Sequence, residues 1–194
     1  MTIETIFHLS RHGQTHWNIE HRIQGQLDSQ LTAKGEQQAL KLANLCHPLN
    51  ITQILCSSLG RTTATAKICA TKLQCPWKIL PGIEERNFGI WQGKQTCEIQ
   101  VNADYTEITS MVTDCKPEQG ESAIQLLTRF KKAIIEQFKI APNERYLIVT
   151  HGDVLRVFMN QFLHPGQTTT GYDYANGQLI TITFNHMTGS FTSL

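Results

Sequence analysis

Short apolar runs rich in β-branched residues alternate with longer stretches of helical periodicity, and this alternation restricts the fold of the chain more than any other feature. TIFHLS (5–10), ITQILCS (51–57), WKIL (77–80) and YLIVT (146–150) read as strands bounded by turn or polar residues. QLITITFN (178–185) reads as a later strand, and SFTSL (190–194) is a further candidate for pairing. Between them Thr32 can cap a helix through EQQALKLANLC (36–46), and SSLGRTTATAKICATKL (57–73) is a second helix. ESAIQLLTRFKKAIIEQF (121–138) is the clearest helix, with Ile124, Leu127, Ile134 and Phe138 at helical spacing, and VLRVFMNQFL (154–163) follows the fourth strand. Segment 92–120 is the hardest to read; its TCEIQ and YTEITSMV suggest short helices. The expectation is one α/β domain over 1–194, a three-layer α/β/α sandwich on a mostly parallel sheet of about six strands.

In open α/β sheets ligands bind beyond the carboxyl ends of the strands. After the first strand come Arg11 and His12, and beyond the second stands Arg61. The third leads to Glu84 and Glu85, and His151 follows the fourth. Four successive strand ends thus carry a cation, an imidazole or a carboxylate, and the fold would gather them on one edge. His12 and His151 each precede a glycine at a strand-to-helix switch, where backbone N–H groups can approach an anion. His8, His16 and His21 lack that setting and read as packing or surface residues.

Seventeen Lys and Arg against sixteen Asp and Glu give a formal net charge of +1, which offers no long-range field for nucleic acid or an anionic membrane. Any anion site must be local. The opening MTIETIF lacks the basic region and apolar core of a signal peptide, and no apolar run reaches ~18 residues, so a cytoplasmic protein is expected. Cys46, Cys56, Cys69, Cys75, Cys97 and Cys115 form no C-x-x-C pair and read as small buried hydrophobes in a reducing compartment.

Five ordered segments resemble the histidine phosphatase superfamily, which includes the cofactor-dependent phosphoglycerate mutases. They are LSRHGQTHWN, RIQGQLDSQLTAKGEQQA, CSSLGRTTATA, IEERNFGIWQG and VTHGDVLR, with GESAIQLLTRF similar to a helix start in the compact phosphatases. The resemblance implies a phosphoglycerate mutase-like fold and makes His12 the nucleophile that becomes phosphohistidine. It places Arg11, Arg61 and His151 on the phosphoryl oxygens and Glu85, rather than Glu84, as proton donor. Asn18 and Gln24 fall where the family touches phosphate or substrate. No metal or cofactor is implied.

The chemistry fits those roles. Phosphoryl transfer spreads charge over three equatorial oxygens, so catalysis is chiefly positioning and fixed positive charge. Arginine forks and an imidazole N–H supply both. Arg11 and Arg61 would disfavour an imidazolium at His12, a backbone carbonyl would fix its tautomer, and a bound phosphate would raise the pKa of Glu85.

Other chemistries fit less well. A cysteine phosphatase needs five residues between Cys and Arg, and Cys56 and Arg61 have four between them. The zincin pattern needs Glu directly after its first His, where this chain has Gly13 before His16. A phosphoglycerate mutase-type transfer is the main alternative, but segment 92–120 offers only Lys94 and Lys116 as extra cations. A non-catalytic phospholigand-binding module would have lost one of the reacting groups. The reading is therefore a phosphomonoesterase acting on a small phosphorylated metabolite, such as an α-ribazole phosphatase or a broad-specificity enzyme. Segments 92–120 and 164–177 are expected at the pocket mouth. Trp91, Tyr105, Tyr172 and Tyr174 read as packing or surface residues rather than a stacking platform.

Overall fold

A computed structural model describes residues 4–194; the first three residues of the MTIETIF segment lie outside them. Along the chain run β1 (Glu4–Arg11), α1 (His16–Ile19), α2 (Ala33–Cys46), β2 (Gln53–Cys56), α3 (Gly60–Leu73) and β3 (Trp77–Ile79). There follow α4 (Thr96–Ile99), α5 (Tyr105–Ser110), α6 (Ala123–Ile140), β4 (Tyr146–Thr150), α7 (Gly152–Met159), β5 (Leu179–Asn185) and β6 (Phe191–Ser193). The six strands form one sheet in the order β3-β2-β4-β1-β5-β6. β3, β2, β4 and β1 are parallel, and β5 and β6 close the far side antiparallel.

Side chains alternate across a strand, so each β4 residue chooses a layer. Leu147 and Val149 pack with Ile54 and Cys56 of β2 against Leu42, Ala43 and Cys46 of α2 and Ala66, Cys69 and Ala70 of α3. Tyr146 and Ile148 face the other way with Phe7 and Leu9, against Phe130, Ile134 and Phe138 of α6 and Leu155 and Phe158 of α7. Both faces of β4 are therefore buried, which is why YLIVT reads as a continuous apolar run.

This layering fixes where a site can form. β1 and β4 are parallel neighbours in register, with Arg11 opposite Thr150. The helix packed after β1, α2, covers one face, and the helix after β4, α7, covers the other. A crevice opens between two such strand ends, and His12 and His151 are the next residues on its two sides.

Several details depart from the sequence expectation. The second helix begins at Gly60, not at residue 57, because Ser57–Leu59 turn off β2 first. Leu59 provides no side-chain cap; the Asp28 carboxylate takes the Gly60 and Arg61 N–H groups instead. On α6 the buried stripe runs through Ala123, Leu126, Phe130 and Ile134, leaving Ile124 41% exposed. VLRVFMNQFL splits into α7 and a 3-10 turn over Asn160–Phe162. Of the six cysteines, all free, Cys46, Cys56 and Cys69 are buried, their thiols pushed up to about 12 chiefly by burial. Cys97 is exposed and Cys75 and Cys115 are half-buried, so the uniform buried reading does not hold.

Candidate active site

His12 leaves β1 with its backbone N–H on the Thr150 carbonyl, at 3.0 Å. Its ring Nδ1 lies 2.8 Å from the Gly13 carbonyl oxygen. A carbonyl only accepts, so Nδ1 carries the ring proton and Nε2 keeps its lone pair. Burial first, then the Arg61 and Arg11 charges, hold His12 well below the ordinary imidazole value. A neutral, buried imidazole with one fixed lone pair has the electronic form that a nucleophilic histidine requires.

Gly13 serves this turn differently from the sequence expectation. Its N–H is not open to an anion, because it donates to Thr65 Oγ1 at 3.0 Å. What requires glycine is close approach: a Cβ at position 13 would sit 2.3 Å from the Gly35 carbonyl oxygen in the first turn of α2.

Two arginines are anchored by their outer nitrogens. Arg11 Nη1 donates to the Gly171 and Tyr174 carbonyls, at 3.2 and 2.9 Å. Arg61 donates through Nη1 to Leu27 O (2.7 Å) and Asp28 Oδ1 (3.2 Å), and through Nη2 to Gly25 O (2.7 Å). His151 lies with its ring centroid 5.4 Å from that of His12, its Nε2 2.7 Å from Ser57 Oγ. Arg11 Nε, Arg61 Nε and His151 Nδ1 are left buried with no hydrogen-bond partner among the described residues. An unpaired buried N–H costs about 1–3 kcal/mol. Three such nitrogens, from segments that follow three different strands, lie in residues grouped with His12.

Arg11, His12, Asn18, Gln24, Arg61 and Glu85 line one cavity of about 130 Å³. Asn18 sits there as part of the α1 capping box, its Oδ1 accepting from the Thr15 N–H at 3.0 Å. Gln24 Oε1 is buried without a partner among the described residues. Glu85 is held by backbone donors, Arg86 N at 2.9 Å and Asp153 N at 3.3 Å. Burial and then the Asp153 charge raise its pKa, against the pull of Arg61 and the two N–H groups. Before any phosphate contributes, the protein therefore already shifts Glu85 towards the protonated form relative to a free carboxyl. Glu84 turns elsewhere, accepting from Gly82 N at 2.8 Å and lying 4.0 Å from Arg129.

Sequence reasoning passed over several residues here. Asp28 anchors Arg61, Ser57 meets His151, and Asp153 borders Glu85. Arg22 and Phe88 line the outer cavity with Tyr105 and Thr109 of α5 and Thr170 and Tyr172 of the loop before β5. Both expected mouth segments thus contribute. Tyr105 and Tyr172 reach the cavity, whereas Trp91 and Tyr174 are buried. His8 is buried in β1 against Thr181, at 2.9 Å, while His16 and His21 are exposed.

The buried imidazoles tie stability to pH. His8, His12 and His151 are all lowered from 6.5, with burial the leading cause in each. Unfolding lets each take a proton near 6.5 that the folded state refuses, so stability falls as pH drops below that value. Each group adds a slope of at most about 1.4 kcal/mol per pH unit. Glu85, raised, acts oppositely, losing stability as pH climbs above 4.5. One carboxyl opposes three imidazoles, so urea midpoints should be lower at pH 5.5 than at pH 7.5; an equal or higher midpoint at pH 5.5 contradicts neutral burial.

Fold and site together define a class: an open α/β sheet that gathers two arginines, two histidines and a carboxyl at its topological switch point. The family model for the histidine phosphatase superfamily (branch 1) matches residues 7–194. A probable phosphoglycerate mutase GpmB of Escherichia fergusonii is 37% identical over 158 residues, covering 80% of this chain and 74% of its own. Bacillus stearothermophilus YhfR superposes with a TM-score of 0.82 at 29% identity, covering 97% of this chain and 95% of its own. A mycobacterial glucosyl-3-phosphoglycerate phosphatase solved with VO3 has a TM-score of 0.83 at 21% identity, covering 98% and 96%, a likeness of fold. The chain belongs to the histidine phosphatase superfamily.

Proposed function

We propose that the protein is a phosphomonoesterase that hydrolyses a small phosphorylated metabolite through a phosphohistidine at His12. The observation that carries this reading is the set of three unpartnered buried nitrogens, on Arg11 and Arg61, whose charges act on His12, and on His151, whose ring lies 5.4 Å from that of His12. In the first half-reaction Nε2 attacks phosphorus, the P–O bond to the leaving alcohol breaks, and Glu85 gives that oxygen its proton. In the second, water attacks the phosphohistidine, Glu85 takes the proton back, and the P–N bond breaks to release phosphate. Arg11, Arg61 and His151 hold the oxygens through both steps, and Asn18 and Gln24 touch phosphate or substrate.

The curated relatives named as probable phosphoglycerate mutases give a second reading, in which the phosphoryl returns to an acid-bearing substrate. Such a substrate needs extra cations beyond the nest. The outer cavity has one, Arg22, already engaged by Glu20 at 3.1 Å and by the Gly93 carbonyl at 2.5 Å, beside Ile23, Phe88 and Tyr105. That lining favours hydrolysis. The test assays phosphate release from a panel including α-ribazole phosphate, sugar phosphates and phosphoserine, alongside interconversion of 3- and 2-phosphoglycerate. Interconversion outrunning phosphate release on every ester would assign the mutase reaction.

Glu85→Gln refines the test. A general acid contributes ~10²–10⁴-fold when the leaving group is a poor one. The variant should lose that much kcat on an alkyl phosphate and much less on p-nitrophenyl phosphate, whose phenolate leaves without a proton. Equal losses on both would give Glu85 another role.

A further inference from the structure

His151 raises a question of proton placement that runs through two buried hydroxyls. Its Nε2 is 2.7 Å from Ser57 Oγ, and Ser57 Oγ is 2.7 Å from Thr62 Oγ1. Thr62 Oγ1 also lies 2.8 Å from the Leu59 carbonyl and 3.1 Å from that of Ser57, while the Leu59 N–H points at Ser57 Oγ from 3.3 Å. Each hydroxyl has one proton to give. Only two patterns make both 2.7 Å contacts hydrogen bonds and leave neither hydroxyl proton without an acceptor. In one, Thr62 donates to Ser57 and Ser57 donates to Nε2, which must then be bare. In the other, Nε2–H donates to Ser57, Ser57 to Thr62, and Thr62 to Leu59.

The two patterns present opposite groups to an anion. A neutral ring has one proton, so a bare Nε2 puts it on Nδ1, the atom left unpartnered in the nest. A protonated Nε2 leaves a lone pair at Nδ1, which repels phosphoryl oxygen. Burial comes first among the causes that keep the ring neutral, followed by the titratable groups facing it, cationic Arg61 of α3, the His12 imidazole, Arg129 of α6 and Arg11 of β1.

We infer that Ser57 is a positioning residue whose O–H donates to His151 Nε2, so that Nδ1 offers its proton to the transferring phosphoryl group. Thr62 supports it by turning its one proton from the Leu59 carbonyl, 2.8 Å away, to Ser57 Oγ, so the hydrogen bond to that carbonyl is given up for the one that orients His151. The inference rests on the phosphoryl-transfer reading above, and the ligand used to test it separates the two.

The probe is inorganic phosphate added to protein with 15N-labelled histidine, read by two-bond 15N–1H correlation. With phosphate bound, His151 should show a lone-pair nitrogen at Nε2 and an N–H at Nδ1. A protonated Nε2 in that complex overturns the role of Ser57. No response of either His12 or His151 to phosphate overturns the phosphoryl reading instead.

Ser57→Ala removes the donor that favours a bare Nε2, so His151 should titrate at higher pH than in wild type. kcat/KM should fall by ~10–100-fold, by analogy with other partners that orient a working histidine. Wild-type titration and wild-type kcat/KM in this variant would refute the inference. Thr62→Val takes away the competing acceptor for the Ser57 proton and should retain the bare Nε2; a protonated Nε2 there would favour the reverse pattern. If Ser57→Ala does not fold, the wild-type spectrum with phosphate decides alone.

Discussion

His12→Ala should lower kcat on p-nitrophenyl phosphate by ~10⁴–10⁶-fold while inorganic phosphate still binds as a competitive ligand. The size follows from removing a nucleophile that other groups serve as a unit, where the remainder retains modest catalysis over water. Phosphate retention follows from geometry, because the unpartnered nitrogens of Arg11, Arg61 and His151 do not depend on the His12 ring. Wild type quenched in alkali during turnover should carry acid-labile phosphorus on His12, and the variant none. A variant keeping a tenth of the wild-type rate would end the phosphohistidine proposal. A urea-derived stability for the variant within about 1 kcal/mol of wild type at pH 7.5 separates loss of the nucleophile from the cost of emptying a buried site.

The same residue marks where sequence was informative. His12, Arg61, Glu85 and His151 follow strands whose apolar runs are unmistakable, and in a parallel sheet those strands end on one edge. Residue type and topology together placed them. What sequence did not reveal are partners meeting across long separations. Ser57 and His151 are 94 residues apart, and Asp28 and Arg61 are 33 apart. No local periodicity reports such pairs.

Boundaries failed for the same reason. α3 starts late because its cap comes from Asp28 on another segment, while Leu59 supplies none. On α6 the expected face holds at Ile134 and Phe138 and departs only in the first turn, where small Ala123 is buried beside exposed Ile124. The sequence alone suggests Gly13 as an opening for an anion, whereas the contact that demands glycine comes from Gly35 in α2. In each case a tertiary neighbour, invisible in the local pattern, decided the outcome.

Asp153→Ala should destabilise the fold by roughly 3–5 kcal/mol, the usual cost of breaking a buried ion cluster by removing one partner. Asp153 is the hub between two buried guanidiniums, 3.4 Å from Arg86 Nη1 and 2.5 Å from Arg156 Nε. Side-chain exposure is 7% for Asp153, 0% for Arg86 and 1% for Arg156, so water cannot replace the lost carboxylate. Without it two like charges face each other in a low-dielectric interior. The cations cannot simply withdraw, because they hold the pocket wall: Arg86 donates to the carbonyls of Ile108, Cys115 and Glu121, and Arg156 to Met111. Urea unfolding should show a lower midpoint at unchanged slope, and a loss below about 1 kcal/mol would mean that the guanidiniums are satisfied by those carbonyls alone. The variant also removes the like charge beside Glu85, so the basic limb of kcat/KM should move to lower pH. Stability and acid strength therefore change together through one carboxylate. A merely structural Asp153 would move the urea midpoint and leave the pH profile where it was.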